Sequence, residues 1–411
     1  MMRKIIKEVT LQTNGLRIIA MERHISPIIG IQLWIGAGSV DEEAKISGCA
    51  HLLEHMLPLS TSKSIYRIRY IKEIGGILNC GTRKEFTLYS LICSNSYIND
   101  AFDFIVNLLN PSFNAEVYKK EKNVVMDEIL LDTTIPKLDA ILWKEAFKGS
   151  PYERPVKGTL SSIRGIKITD IKNYFENYYV PNNVTIVIVG DFNADNILKI
   201  AEDKFGLMEP KSYQVASTFE VPALTEARRV LIKGPTRLAY MKIGWLIPNI
   251  NSPARYPLEV LKSLIRYGKD VSFSRNLRYQ YLLSNIVVNC HFLKNGGLFV
   301  IETTSEPKRV EETENRVVSG MSSLEDEIDE EKVTNEKTMV EYEHVTKFLK
   351  CFDIVSLLGY TATLMGHVET YDTFMSNLQA VTKEDVLEVL RNYFENTPYV
   401  TVVYTPGDIT R

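Results

Sequence analysis

The 411-residue chain repeats itself, and that repeat limits its architecture more than any other feature. Asn173-Tyr174-Phe175-Glu176-Asn177 recurs 219 positions later as Asn392-Tyr393-Phe394-Glu395-Asn396. Each copy leads into a β-branched run closed by Gly-Asp, Val184 to Val189 before Gly190-Asp191 and Val400 to Val403 before Gly407-Asp408. Before these runs, Ile171, Tyr174, Phe175, Tyr178 and Tyr179 fall on one helix face, and Val386, Val389, Leu390, Tyr393 and Phe394 repeat the spacing. Thr382 and Asp385 supply a capping box for the second helix. A chain this long exceeds one ordinary core, so the repeat predicts two homologous domains, 1–210 and 228–411, joined by a Pro-punctuated linker at 211–227.

Within the first half, Ile28 to Ile35 reads as a buried strand. Ala101, Phe104, Ile105, Leu108 and Leu109 mark an amphipathic helix that stops before Pro111. Strands and helices alternate without the tight rhythm of a doubly wound sheet. The expected class is α+β, with two sandwich-like domains that each pack helices on a mostly antiparallel sheet. The acidic run 322–331 reads as the solvated start of a helix continuing through His344.

Charge narrows the function. With 48 Lys and Arg against 51 Asp and Glu, the chain lacks the excess positive charge of a nucleic-acid binder, and no such partner is expected. No apolar run approaches the ~20 residues of a membrane helix, so no membrane span is expected. Five cysteines without a C-x-x-C pair encode neither a disulfide framework nor a thiolate zinc site. That usage suits a reducing compartment, the cytoplasm or an organelle matrix reached by way of a removed transit peptide.

His51-Leu52-Leu53-Glu54-His55 carries the strongest chemical signal. Histidines at i and i+4 share one helix face and can grip one metal ion. Glu54 beside them is strained as a ligand but placed to take a proton from a water in the open position. Nothing from Cys49 to Met56 breaks a helix, Ser47 is positioned to cap it and Pro58 ends it. The third ligand is expected at Glu128, on a helix following the N-cap Asn114; Asp127 points about 100° away. Glu121, two turns earlier on nearly the same face, reads as a supporting carboxylate. The bland alternative is a surface helix that happens to carry two histidines. The other four, His24, His291, His344 and His367, are isolated.

With these residues in place, the chain resembles the pitrilysin family of inverted zinc peptidases, which includes insulin-degrading enzyme and the mitochondrial processing peptidases. The likeness runs through Gly38-Ser39-Val40-Asp41-Glu42, Gly48-Cys49-Ala50, Gly75-Gly76, Glu121 to Ile129, Gly158-Thr159 and Tyr179-Val180-Pro181-Asn182-Asn183, in order. It implies one zinc per chain held by His51, His55 and Glu128, with Glu54 as general base and Glu121 in support. It also implies that an extended peptide adds to an edge strand carrying Asn79, Cys80, Gly81 and Thr82. An ordinary edge strand is the other reading of that segment.

The resemblance has gaps. The stretch after the motif, Met56 to Thr61, lacks the usual continuation. In the second half Arg278 matches the family's substrate arginine, but Asn285 stands where a tyrosine follows seven residues later, and Leu282 replaces a glycine. The resemblance implies that a complete enzyme is a clamshell of two such two-domain chains. A zinc chain without the tyrosine then needs a homologous second subunit that has it, favouring a heterodimer over a homodimer. The expected activity is cleavage of unfolded or short peptides in processing, leader removal or clearance. The rival is a non-catalytic structural or peptide-binding subunit.

Overall fold

The computed structural model describes residues 6–60, 62–131, 134–211, 219–267 and 286–407. It divides into two compact units, each built on one sheet.

The sheet of unit 1 contains β1 (Ile6–Thr10), β2 (Arg17–Glu22), β3 (Ile28–Ile35), β4 (Ile77–Thr82), β5 (Thr87–Ser94) and β6 (Val184–Gly190), in the order β1-β2-β6-β3-β5-β4. Every pairing is antiparallel except β2 with β6. β3 and β6 lie inside the sheet and are almost wholly buried, hence their unbroken apolar sequences. β4 lies at one edge and alternates exposed and half-buried positions. Unit 2 repeats the plan with β7 (Arg228–Gly234), β8 (Ala239–Ile247), β9 (Ile286–Leu293), β10 (Gly296–Ser305) and β11 (Val400–Pro406), ordered β7-β11-β8-β10-β9. Its one parallel pair, β7 with β11, matches β2 with β6.

The helices are α1 (Cys49–Met56), α2 (Ser62–Glu73), α3 (Ile98–Leu108), α4 (Ala115–Leu131), α5 (Thr134–Ala146), α6 (Leu160–Gly165), α7 (Ile168–Tyr178) and α8 (Ala194–Phe205). After β8 come α9 (Arg255–Tyr267), α10 (Val310–Ser323), α11 (Glu330–Thr346), α12 (Cys351–Met365), α13 (Tyr371–Ala380) and α14 (Lys383–Tyr393). The duplication is present, but in a different register from the one the matching letters suggest. α7 and α14 are each 11 residues long, and at the start of each the N-cap N–H donates to the aspartate three residues on, Lys167 to Asp170 and Thr382 to Asp385, 215 positions apart. The recurring pentapeptides are therefore one helical turn out of step.

One boundary between the units falls at 217/218, within the 211–227 stretch, but two further segments, 132–153 and 346–369, belong to the unit of the other half of the chain. Unit 1 comprises Met1–Leu131, Arg154–Ser217 and Thr346–Glu369, while unit 2 comprises Asp132–Glu153, Thr218–Val345 and Thr370–Arg411. The sheet faces explain the exchange. In unit 1 the apolar face of β3 and β6 is covered by α12, and in unit 2 the corresponding β8 and β11 are covered by α5. A Cβ on Gly359 would stand 2.0 Å from Trp34 Nε1, so glycine alone lets α12 sit this close to β3. Arg17 donates to the carbonyls of Ala362 and Gly366 at the C-terminal end of α12, where helix carbonyls lack intrahelical partners, and Arg23 donates to those of Phe348 and Leu349 just before the helix.

The acidic run 322–331 is not one helix start. α10 ends at Ser323, a 3-10 turn spans Leu324–Glu327, and α11 begins at Glu330, because buried Ile328 turns the backbone extended. Among the described residues no single helix is long and apolar enough to cross a membrane.

Candidate metal centre

α1 is short, and its surroundings fix it. Cys49, Ala50, Leu52, Leu53 and Met56 are buried in the unit 1 core, leaving His51 and His55 on the opposite face. Its start is backbone packed on backbone. Gly48 is left-handed at φ 94°, and a Cβ there would lie 2.6 Å from the Lys157 carbonyl. One on Gly158 would lie 2.3 Å from that of Ser47.

Ser47 does not cap the helix; its hydroxyl has no hydrogen-bond partner among the described residues. The cap comes from Glu42, a residue that sequence reasoning passed over, whose Oε2 accepts from the Gly48 N–H and Oε1 from the Ala50 N–H, both at 2.8 Å. Burial outweighs these bonds and pushes the Glu42 carboxyl up to about 8.

α4 brings the carboxylates. Asn114 Oδ1 accepts from the Glu116 N–H at 2.7 Å, the cap expected of it. His51 Nε2 lies 3.3 Å from Glu128 Oε2, and His55 Nε2 lies 3.5 Å from Glu128 Oε1. The two imidazoles meet edge to face, with centroids 4.7 Å apart. One donor atom from each of His51, His55 and Glu128 falls within 4.8 Å of the others. The edge of a tetrahedron around zinc, with bonds of 2.0–2.2 Å, is roughly 3.3–3.6 Å, so the set suits that ion with small adjustment. Among the described residues no other three His, Cys, Asp or Glu side chains converge in this way.

Both rings are held from behind. Glu121 Oε2 stands 3.4 Å from His55 Nδ1, and Glu54 Oε2 stands 3.3 Å from His51 Nδ1. Carboxylates in these places fix ring orientation and leave the Nε2 atoms for a cation. Burial works against a charged His51, yet Glu128 and Glu54 overcome it and push the ring up to about 9. Burial also opposes the Glu54 anion, but the bonds from His51 and Thr82 hold it below its ordinary value. The hydrogen bond from His51 holds Glu128 low as well, with Lys157 Nζ 3.9 Å away.

Of the expected substrate strand, Thr82 is turned inward, its hydroxyl donating to Glu54 Oε2 at 2.8 Å. Cys80 is half-buried, and burial raises its thiol. Asn79 is exposed and Gly81 half-buried, on a strand with no partner at its outer edge among the described residues. Arg278, Leu282 and Asn285 lie outside the described residues.

Residues 17–159 match the family model described as "Insulinase (Peptidase family M16)", and residues 165–340 match "Peptidase M16 inactive domain". The chain belongs to peptidase family M16. That is the pitrilysin-type family the motif resembles, and all of α1 and α4 lie within the first matched segment. The uncharacterized zinc protease YmxG of Bacillus subtilis is 26% identical and aligns with 98% of this chain and 99% of its own. A mitochondrial-processing peptidase subunit beta of Lentinula edodes is 26% identical over 68% of this chain and 60% of its own. In fold, a protease from Helicobacter pylori matches with a TM-score of 0.91 at 20% identity, covering 98% of this chain and 100% of the other.

Proposed function

We propose that this M16 chain is a zinc endopeptidase acting on unfolded or short peptides, as in peptide processing, and that it works with a homologous second subunit. The observation that carries this reading is the convergence of His51, His55 and Glu128, with each Nε2 3.3–3.5 Å from a Glu128 carboxylate oxygen and one donor atom of each residue within 4.8 Å of the others. The names of relatives, zinc protease and processing-peptidase subunit, agree with it.

His51, His55 and Glu128 would hold the ion, which when bound supplies Lewis-acid chemistry, polarising a carbonyl and lowering the pKa of a water toward ~7. Glu54 is the proton carrier. Fixed by Thr82 and held ionised by His51, its carboxylate accepts the proton of the attacking water and passes it to the leaving amine. Glu121 keeps His55 oriented. The outer edge of β4 offers main-chain hydrogen bonds to an extended peptide, with Asn79, Cys80, Gly81 and Thr82 along it. Arg278 would contact the substrate.

Glu54→Gln is the test: metal retained at one ion per chain and turnover lost by a factor of ~100 or more. A variant with undiminished turnover would remove Glu54 from the mechanism. A second reading, a peptide-binding subunit without activity, is favoured by Asn285 at the position of the family's tyrosine. Assays of the chain alone and with a homologous subunit separate the two. Full activity alone dispenses with the partner, and inactivity in both despite bound zinc favours the binding subunit.

A further inference from the structure

Unit 2 carries the same frame with other side chains in it. α4 and α11 are both 17 residues long, and Glu121-Lys122, Val125 and Glu128 are matched 215 positions on by Glu336-Lys337, Val340 and Glu343. The equivalence holds in three dimensions. Lys122 Nζ donates at 2.8 Å to the carbonyl of Ile166, just before α7, and Lys337 Nζ at 2.8 Å to that of Val381, just before α14. Val125 and Val340 are both buried.

Facing α11 is α9, as α1 faces α4. Ser263 Oγ donates to Glu336 Oε2 at 2.6 Å, in the relation His55 has to Glu121. That alignment sets Lys262 at the position of Glu54 and Glu259 at that of His51. The residues between agree, since Leu52-Leu53 and Val260-Leu261 are all buried. The contact between the first and fourth motif positions is also kept, His51 with Glu54 in one unit and Glu259 with Lys262 in the other.

Lys262 Nζ lies against Glu259 Oε2 and 3.7 Å from Glu343 Oε2, the counterpart of Glu128. Arg266 adds a second cation, 3.1 Å from Glu343 Oε1. We infer that unit 2 holds a second copy of the metal-site frame, in which the Lys262 ammonium stands in for the cation. Charge explains the substitution. Carboxylates gathered between two packed helices need a positive partner, and here the chain provides it, so α9 and α11 are held together whatever the metal supply. The inference rests on the proposed site at α1 for what the frame originally holds.

The full chain is titrated with Co2+ and followed by visible absorption. Wild type is expected to take one equivalent, and Glu259→His/Lys262→Glu/Ser263→His, which writes the first motif into α9, to take two with tetrahedral absorption. A folded triple variant that still takes one overturns the inference. Should that variant fail to fold, Lys262→Met is expected to lower the thermal midpoint and Lys262→Arg largely to restore it. A Lys262→Met protein as stable as wild type overturns the inference equally. A wild type that binds no Co2+ beside a triple variant that binds one would refute the proposed site at α1 and leave the frame in unit 2 supported.

Discussion

Glu42→Ala should be strongly destabilising, although Glu42 touches none of the expected metal ligands. The substitution strands two N–H donors of the first turn of α1, on Gly48 and Ala50, in a place with little room for water, since Glu42 is only 4% exposed. Leaving a buried donor unsatisfied costs about 1–3 kcal/mol, so two cost about 2–6 kcal/mol. Unit 1 should unfold about 4–24 °C lower, at about 2–4 °C per kcal/mol for a domain of this size. Glu42→Gln keeps one acceptor and should lose about half as much. The carboxyl also sets a pH dependence. Its folded value of about 8 lies above its ordinary 4.5, so its contribution is full below 4.5 and declines as pH rises toward 8. Glu42→Gln should flatten stability across that window. Thermal and denaturant unfolding of the three proteins from pH 4 to 9 gives both quantities. If Glu42→Ala lies within ~0.5 kcal/mol of wild type, the claim that Glu42 fixes α1 fails.

Gly359→Ala should destabilise the chain by about 1–3 kcal/mol, overpacking exceeding the ~1 kcal/mol that alanine gains in a helix. The new Cβ meets Trp34, 2% exposed and bonded to Gln32 Oε1 at 2.9 Å; a raised denaturant midpoint would contradict this packing. Metal binding at pH 7 should release about one proton, because His51, raised from 6.5 to about 9, keeps its proton until a cation displaces it. Apparent affinity should climb with pH and level off above about 9, while His51's own contribution to metal-free stability, full below 6.5, is lost as pH rises through about 9. Calorimetry in buffers of different ionisation enthalpy detects the proton; heats that do not depend on the buffer would count against a protonated His51.

What was legible in the sequence was what lies close along the chain. Two histidines one turn apart and two glutamates two turns apart declare their helix faces from spacing alone, and the structure brings those faces together. Glu42 was hidden because its function depends on a 3-10 connection that folds it back under a helix start, while a capping search looks to the residue next to the helix, here Ser47. The duplication is visible in the sequence but misregistered: the identical letters lie one helical turn out of step, whereas buried Ile171 with Val386 and Tyr174 with Val389 mark the true correspondence. The helix exchange left no signal, because an apolar face such as that of α12 shows that it must be covered without showing by which sheet.

The most direct measurement is anomalous scattering at the zinc edge from crystals of the zinc-loaded chain. The account predicts one strong peak per chain, about 2.0–2.2 Å from His51 Nε2, His55 Nε2 and a Glu128 carboxylate oxygen. A zinc peak bound elsewhere, or none at these three residues in saturating zinc, would contradict it.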